Sequence, residues 1–289
     1  MAEKDDDRPP DSAAAMAVPE DVSGFGLAVR LRTRVIKASL AWHNRRGERR
    51  LRAHAQLWQR MREYARASAV TGASYSDYVT LYEQVRRHKP VEILECGTGI
   101  STLVLAQALL DNARDGAPPG RITSMEDHAA WYATARDALP AEFDGVVELV
   151  HSPKVDGFHR IFRGVRYAQV PERSYDFVFS DGPDRHSPVT GEKLFNLDLI
   201  DVIRRSEQPL RAVVDNHYLT FYVLQMLLGT DNARYDVWRR LMFVGPVTRH
   251  DLGYLRRESF LPDMRLLGRT TLRLRLAHHA RGEATRGGP

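Results

Sequence analysis

A glycine loop between an apolar segment and a helical one is the clearest chemical signal in the sequence. The mostly apolar residues 91–94 lead into Glu95, and Gly97 and Gly99 follow before Ser101 opens the next segment. Glycines let the backbone approach a ligand closely, and the free N–H groups of a helix N-terminus bind anionic ligand groups. The loop therefore predicts a nucleotide-binding site, although two glycines can also serve only a tight turn between a strand and a helix.

A carboxylate stands where such a site needs one. Glu126 ends the next apolar segment, residues 122–125, about one helix and one strand after the glycine loop. Doubly wound nucleotide-binding folds place an acidic residue there, because an ionised carboxylate accepts hydrogen bonds from both ribose hydroxyls. Glu126 is therefore a candidate ribose ligand. The alternative is that it caps the helix predicted to begin near Ala129.

Oxygen-bearing side chains follow two later apolar segments. Asp181 follows residues 175–180, and Asp215 and Asn216 follow residues 211–214. Carboxylate and amide oxygens that meet at one sheet edge suit Mg²⁺. Asp181, Asp215 and Asn216 are therefore a candidate metal site.

Two histidines near these residues could act as general bases without a metal. His186 and His217 are the candidates, because a neutral imidazole accepts a hydroxyl proton near pH 7. We count Asp181, His186 and His217 as candidate catalytic residues. The alternatives are that each histidine is structural or at the surface and that Asp181 is buried and caps the loop that follows it.

The elements that must position these residues alternate along the chain. Short apolar segments are separated by helical ones from residue 91 to residue 228. Apolar strands separated by helices indicate a mostly parallel sheet covered on both faces. We therefore predict a doubly wound α/β fold. Residues 153–173 are predicted to form a loop, whose arginines either bind an anionic acceptor or are solvated.

Basic residues are concentrated before this fold. The segment from Arg30 to Arg66 contains twelve basic and two acidic residues, whereas the whole chain has a net charge of +5. Apolar residues recur there at helical spacing, which predicts two amphipathic helices with a break at residues 44–47. The helices could lie on an anionic membrane, bind nucleic acid, or pack on the catalytic domain or on a second copy in a homodimer. Nucleic acid is the weakest of these hypotheses, because no aromatic stacking pattern accompanies the charge.

Composition and length set the domain organisation. A chain of 289 residues with 43% hydrophobic content can bury one sizeable core. We predict a disordered acidic tail at 1–24, a basic amphipathic helical extension at 25–72, a catalytic domain at 73–280 and a frayed C-terminus at 281–289. Residues 270–276 are a candidate last strand. The sequence contains no membrane-spanning stretch or secretory signal and only one cysteine, Cys96, so we expect a cytoplasmic location.

Four segments resemble the motifs of class I S-adenosylmethionine-dependent methyltransferases, which have a Rossmann-like fold. These segments are residues 94–103, 124–126, 149–153 and 175–183. The resemblance covers roughly residues 76–257 and does not cover the first 70. It implies a mostly parallel seven-stranded sheet. Residues 247–256 weakly resemble the antiparallel strands at the end of that sheet. A nicotinamide enzyme would usually carry a third glycine where Ser101 or Thr102 stands.

The resemblance implies S-adenosylmethionine as the cofactor and assigns roles to the residues around it. Asp181 would lie beside the sulfonium methyl group. From the methionine end to the adenine end, the cofactor-binding residues would be Glu95, Gly97, Gly99, Ser101, Glu126, His151 and Ser152.

Asp181, Asp215 and Asn216 are also similar to the ligand set of metal-dependent O-methyltransferases of the catechol and caffeoyl-CoA type. Those enzymes carry a lysine three residues after the first aspartate, where this chain has Asp184 followed by Arg185. We therefore expect methylation of an oxygen on a small-molecule or carbohydrate-like acceptor, with Mg²⁺ as an optional second cofactor. The alternatives are a nucleic-acid methyltransferase that uses the basic helices and a non-catalytic cofactor-binding module.

Overall fold

A computed structural model describes residues 27–68, 74–215 and 217–253. Its helices are α1 (Leu27–Ala53), α2 (Ala55–Ala67), α3 (Tyr75–His88), α4 (Ile100–Arg114), α5 (Ala129–Ala138), α6 (Asp198–Arg205) and α7 (Tyr218–Leu228). Its strands are β1 (Glu92–Cys96), β2 (Arg121–Glu126), β3 (Val147–His151), β4 (Lys154–His159), β5 (Phe162–Tyr167), β6 (Phe177–Ser180), β7 (Leu210–Asp215), β8 (Ala233–Asp236) and β9 (Leu241–Val247). Asn216, both predicted tails and the candidate strand at 270–276 lie outside the described residues.

Seven strands form one sheet in the order β3-β2-β1-β6-β7-β9-β8. All neighbouring strands are parallel except that β9 runs antiparallel to both β7 and β8. The chain order reverses between β1 and β6, and open α/β sheets bind ligands at such a reversal, beyond the carboxyl ends of the strands. The predicted fold class, a doubly wound and mostly parallel seven-stranded sheet with N-terminal helices, is confirmed.

Apolar side chains cover both faces of the sheet, which is why its central strands β1, β6 and β7 carry consecutive apolar residues. On one face, Ile93, Phe179 and Val213 pack with residues of α2, α3 and α4. On the other face, Leu94 and Val178 pack with α6 and α7. The first core also includes four residues of the N-terminal helices, namely Leu51, Leu57, Met61 and Tyr64. The N-terminal helices and the sheet therefore share one core.

The predicted break at residues 44–47 is wrong, because α1 continues through it to Ala53 and the chain bends at His54. Gly47 is buried, and a Cβ atom there would lie 2.5 Å from the carbonyl oxygen of Tyr75. The glycine thus permits α1 and α3 to approach each other closely. A glycine that serves helix packing and one that ends a helix cannot be distinguished by local sequence alone.

The predicted loop at residues 153–173 is also wrong over most of its length, because β4 and β5 form an antiparallel hairpin. Phe162, Val165 and Tyr167 of β5 are buried, whereas Arg166 between the last two is exposed. The backbone of Val165 also hydrogen-bonds to the segment that precedes α6. A glycine in each strand and two arginines in β5 hide this alternation in the sequence.

The antiparallel strands at the end of the sheet lie earlier in the chain than residues 247–256, where the weak resemblance had placed them. β8 and β9 form it with a turn at residues 237–240. Within the described ranges, no helix is long and apolar enough to cross a membrane.

Candidate active site

The strands that end beside the reversal carry most of the predicted site residues. Glu95 lies in β1, Glu126 and Asp215 are the last residues of β2 and β7, and Asp181 directly follows β6. Cys96 pairs with Ser180 in the sheet, and the N–H of Asp181 donates to the carbonyl of Cys96 at 2.9 Å. The glycine loop and Asp181 are therefore adjacent at one sheet edge.

Gly97 is a glycine because the protein itself leaves no room for a side chain. Its φ is +96°, a conformation that disfavours any Cβ atom. A Cβ atom there would also lie 3.2 Å from the backbone nitrogen of Gly182. Gly182 is equally restricted, since its Cβ atom would lie 2.9 Å from the hydroxyl of Tyr167. The loops after β1 and β6 thus pack backbone against backbone.

Gly99 has no such restriction. Its φ of 168° is extended backbone open to any residue, and the nearest atom to a Cβ atom placed there would be the Ser101 hydroxyl oxygen at 3.9 Å. Gly99 is also the residue before α4, whose first N–H groups have no helical partner. The open space at Gly99 fits the close approach of a ligand to this helix N-terminus.

Glu95 is fully buried, and one of its two carboxylate oxygens is strongly bonded. Its Oε2 atom accepts hydrogen bonds from the hydroxyls of Thr102 and Ser124, each at 2.6 Å. Its Oε1 atom has no hydrogen-bond partner among the described residues. Burial raises the pKa of Glu95 to about 7, while the hydroxyls of Ser101, Ser124 and Thr102 oppose the shift. A buried acceptor without a donor fits a cationic ligand group beside it.

Glu126 joins the glycine loop to the chain after β2. Its Oε2 atom accepts from the N–H of Thr98 at 3.3 Å and from its hydroxyl at 3.2 Å. Its Oε1 atom accepts from the N–H of His128 at 3.0 Å, just before α5. Glu126 therefore caps this turn. A carboxylate has about four acceptor positions, so three protein donors leave capacity for a ribose hydroxyl.

His151 and Ser152 lie at the carboxyl end of β3. Ser152 is buried, and its hydroxyl accepts from the N–H of Gln169 at 3.0 Å. His151 is exposed, with its ring 5.6 Å from the ring of Tyr132. Both line a cavity of about 850 Å³ that extends along α6. The structure thus places both residues at the predicted edge, one strand further out than Glu126.

Three aspartates form an acidic cluster at the other side of the reversal. The carboxyl groups of Asp181 and Asp215 share a hydrogen bond, and Asp77 of α3 lies within electrostatic range of both. Burial, followed by the negative charges of Asp215 and Asp77, raises the pKa of Asp181 well above its usual range. Its side chain is nevertheless 49% exposed, so water reaches it despite its crowded surroundings. A raised pKa together with a water-exposed side chain indicates that the three aspartates line a recess.

A neutral histidine faces this cluster. The Nε2 atom of His217 lies 3.9 Å from Oδ1 of Asp181. Burial, followed by the positive charges of Arg185 and Lys193, lowers the pKa of His217 well below its ordinary value of 6.5. The Nδ1 atom of this buried ring has no hydrogen-bond partner among the described residues. His217 is therefore an uncharged imidazole near pH 7, close to Asp181.

A known family matches the part of the chain that carries most of this geometry. Residues 94–199, from the middle of β1 to the start of α6, match the sequence profile of a methyltransferase domain. Residues 94–199 therefore form a methyltransferase domain. No curated protein sequence matches the chain.

Solved structures similar to this methyltransferase are distant. A methyltransferase from Geobacter sulfurreducens is 14% identical over 66% of this chain and 88% of its own, with a TM-score of 0.38. The methyltransferase PaMTH1 of Podospora anserina, solved with S-adenosylhomocysteine, is 16% identical over 66% of this chain and 80% of its own, with a TM-score of 0.37.

The contacts of His186 are with Asp184 and not with the acidic cluster. Its Nδ1 atom lies 2.9 Å from Oδ1 of Asp184, and half of the side chain is exposed. Asp184 also pairs with Lys154 of β4. In this methyltransferase, His186 belongs to an exposed ionic group beside the hairpin.

The predicted magnesium ligands come together only in part. Asp181 and Asp215 are adjacent, whereas Asn216 lies outside the described residues. Among the side chains that the structure describes, no group of three or more histidine, cysteine, aspartate or glutamate residues has a metal-binding arrangement. Arg185 is the cation near both carboxyl groups, since the charges of Asp181 and Asp215 favour its protonated form. The magnesium site at Asp181, Asp215 and Asn216 therefore stays a prediction, and we derive no step through a metal.

Two residues of α3 were missed by the sequence analysis. Asp77 is in the first turn of α3, and its Oδ1 atom is buried without a hydrogen-bond partner among the described residues. Burial, followed by the charge of Asp181, raises the pKa of the neighbouring Tyr78. The sequence does not display this role, because the contact joins positions more than 100 residues apart in the chain.

Proposed function

We propose that this methyltransferase transfers the methyl group of S-adenosylmethionine to a hydroxyl oxygen of a small-molecule or carbohydrate-like acceptor. The observation that carries the proposal is His217, held neutral 3.9 Å from Asp181 where the sheet order reverses. A hydroxyl must lose one proton when its oxygen is methylated. A neutral imidazole beside carboxyl groups that accept hydrogen bonds can bind such a hydroxyl and take that proton.

The cofactor would lie across the carboxyl ends of β1, β2 and β3. Glu95 presents an oxygen without a donor, which suits the ammonium group of the methionine part. Gly97 and Gly99, followed by Ser101, bound the space next to α4. Glu126 has acceptor capacity left for the ribose hydroxyls. His151 and Ser152, one strand further out, would border the adenine.

The acceptor would lie between this crevice and α3. Asp181 would face the methyl group, with Asp215, Asp77 and Tyr78 around it, and the acceptor hydroxyl would donate its hydrogen bond to His217. Bound S-adenosylmethionine supplies a methyl group already activated on a sulfonium. His217 would then receive the hydroxyl proton as the bond between oxygen and methyl forms. Arg185 would limit the negative charge of the carboxyl groups during this transfer.

Calorimetry tests the cofactor half of the proposal. We expect the full chain to bind S-adenosylmethionine equally well with Mg²⁺ and with EDTA. No binding under either condition would refute the proposal, and binding that requires Mg²⁺ would restore the metal hypothesis.

A turnover assay tests the acceptor half. Phenols, catechols and sugar acids are incubated with the cofactor, and release of S-adenosylhomocysteine is measured. With an accepted hydroxyl compound, His217→Gln should lower kcat by about 10²- to 10⁴-fold and leave cofactor affinity unchanged. His250→Gln is the matched control, because His250 is an exposed histidine in a turn outside the site. Full activity of His217→Gln, or turnover with only thiol or amine acceptors, would contradict this half.

A further inference from the structure

The N-terminal part of α1 carries an exposed apolar stripe. Leu27, Leu31, Val35 and Trp42 are 73%, 61%, 50% and 54% exposed. At about 100° per residue these four positions, together with Ala38, fall within roughly 80° of the helix circumference. The stripe is about 22 Å long, from a rise of 1.5 Å per residue. We define these five residues as the α1 stripe.

This half of α1 contributes no described side chain to the domain core. Among the described side chains from Leu27 to Asn44, none is buried, and the first buried residue of the helix is Gly47, where α1 meets α3. The stripe therefore does not serve the contact that anchors the helix. Exposed apolar residues in such an arrangement mark an interaction surface.

The charges around the stripe are all of one sign. Six basic residues and no acidic residue lie between Leu27 and Gly47. Arg34 and Arg46 flank the stripe on opposite sides at helical spacing, and the guanidinium of Arg46 lies 5.4 Å from the centre of the Trp42 ring. A cationic polar face beside an apolar face with tryptophan is typical of helices that lie in a membrane interface.

The turn between β8 and β9 adds to the same region. His43 of α1 lies within electrostatic range of Arg239 and Asp236 at this turn. Trp238, which stands between them in the chain, is 49% exposed. A second exposed tryptophan beside arginines therefore lies near the middle of α1.

We propose that the α1 stripe docks in the plane of an anionic lipid surface. A second copy of the chain is a poorer occupant, because pairing two stripes would bring the arginines that flank each stripe, Arg34 and Arg46, close to those of the other helix. Nucleic acid is also a poorer occupant, because Leu27, Leu31 and Val35 offer it no hydrogen bond or charge. Anionic headgroups complement the arginines while the acyl boundary accepts the apolar side chains.

Vesicle flotation tests the proposal with the full chain. We expect binding to vesicles of equal parts phosphatidylserine and phosphatidylcholine, little binding to phosphatidylcholine alone, and weaker binding at high NaCl. Leu31→Glu should lower the partition coefficient by about tenfold or more. Val189→Glu is the matched control, since Val189 is a 77% exposed aliphatic residue elsewhere and its replacement adds the same charge. Circular dichroism and the melting temperature check that both variants are folded.

A second variant separates charge from apolar area. Arg34→Gln combined with Arg45→Gln leaves the stripe intact and should weaken binding only to the vesicles that contain phosphatidylserine. Failure of the wild-type chain to float, or equal flotation of Leu31→Glu, would overturn the proposal. So would a dimer, measured by light scattering, that Leu31→Glu dissociates, because the stripe would then be a self-interface. Salt-sensitive RNA binding that survives Leu31→Glu, in a chain that does not float, would point instead to a nucleic-acid surface.

Discussion

Gly97 and Gly99 stand two residues apart, and their surroundings differ. Gly97 has a positive φ and packs against the backbone of Gly182, whereas Gly99 is extended and faces open space. The first glycine is required by the fold. The second is required only if a ligand occupies the space beside it.

Alanine at each of these positions separates the two requirements. Gly97→Ala should lower the free energy of unfolding by about 1–3 kcal/mol, because a Cβ atom is strained at this φ and crowds Gly182. Gly99→Ala should change it by less than about 0.5 kcal/mol. Gly99→Ala should nevertheless weaken S-adenosylmethionine binding about tenfold or more, which costs about 1.4 kcal/mol.

Denaturant unfolding and calorimetry measure the two effects. Each variant serves as the control of the other. Unchanged cofactor affinity in Gly99→Ala would remove this position from the proposed binding site.

Glu95 couples stability to pH. Its pKa in the folded chain is about 7, against an ordinary value of 4.5. Between these values the folded state holds a proton that the unfolded chain has released, so stability falls as pH rises from about 4.5 to above 7. The shift corresponds to about 3 kcal/mol at full extent. Glu95→Gln should therefore stabilise the protein at pH 8 relative to the wild type, with little difference at pH 4.5.

The same substitution should weaken binding of the cationic cofactor, because the proposed carboxylate partner is lost. Unfolding curves at several pH values, together with calorimetry at pH 8, measure both effects. Glu172→Gln, a change at an 89% exposed carboxylate, is the control. If the stability of Glu95→Gln changes with pH as that of the wild type does, groups other than Glu95 control the pH dependence of stability.

The contact between α1 and α3 depends on one glycine within a helix. Alanine is normally more favourable than glycine in a helix interior by about 1 kcal/mol. Gly47→Ala should instead destabilise the protein by about 2 kcal/mol or more, because the new Cβ atom would overlap backbone atoms of Tyr75 and Ser76. Ala41→Gly, on the exposed side of the same helix, shows the ordinary preference. Melting curves of both variants test whether the preference reverses, and a stable Gly47→Ala would contradict this close packing of α1 on α3.

The elements that could be predicted from the sequence are those with a strong local pattern. The buried strands β1 and β7 carry consecutive apolar residues, and α3 ends where Pro90 follows a basic last turn. The β4–β5 hairpin could not be predicted in this way, because Gly157 and Gly164 are set by contacts with residues 195–197. Its glycines therefore looked like loop residues.

At the scale of the whole molecule, the topology explains which part of the site could be predicted. Glu95, Glu126 and Asp181 lie at strand ends, and a doubly wound sheet brings strand ends to one edge whatever the remaining details. Asp77 and Tyr78 reach the same edge only because α3 packs there. Tertiary contacts that the sequence does not display also determine three other features of the site. These are the hydrogen-bond partners of Glu126, the pairing of His186 with Asp184 and the charged groups around His217.

The only cysteine of the chain is buried in β1, beside the meeting point of the two loops. Burial raises the pKa of the Cys96 thiol well above its ordinary value, and so its thiolate is scarce as well as shielded. A cysteine introduced on the surface would then be the one thiol that a maleimide dye reaches in the native fold. Spectroscopic labels can therefore be attached to α1 or to the β8–β9 turn without first removing a native cysteine.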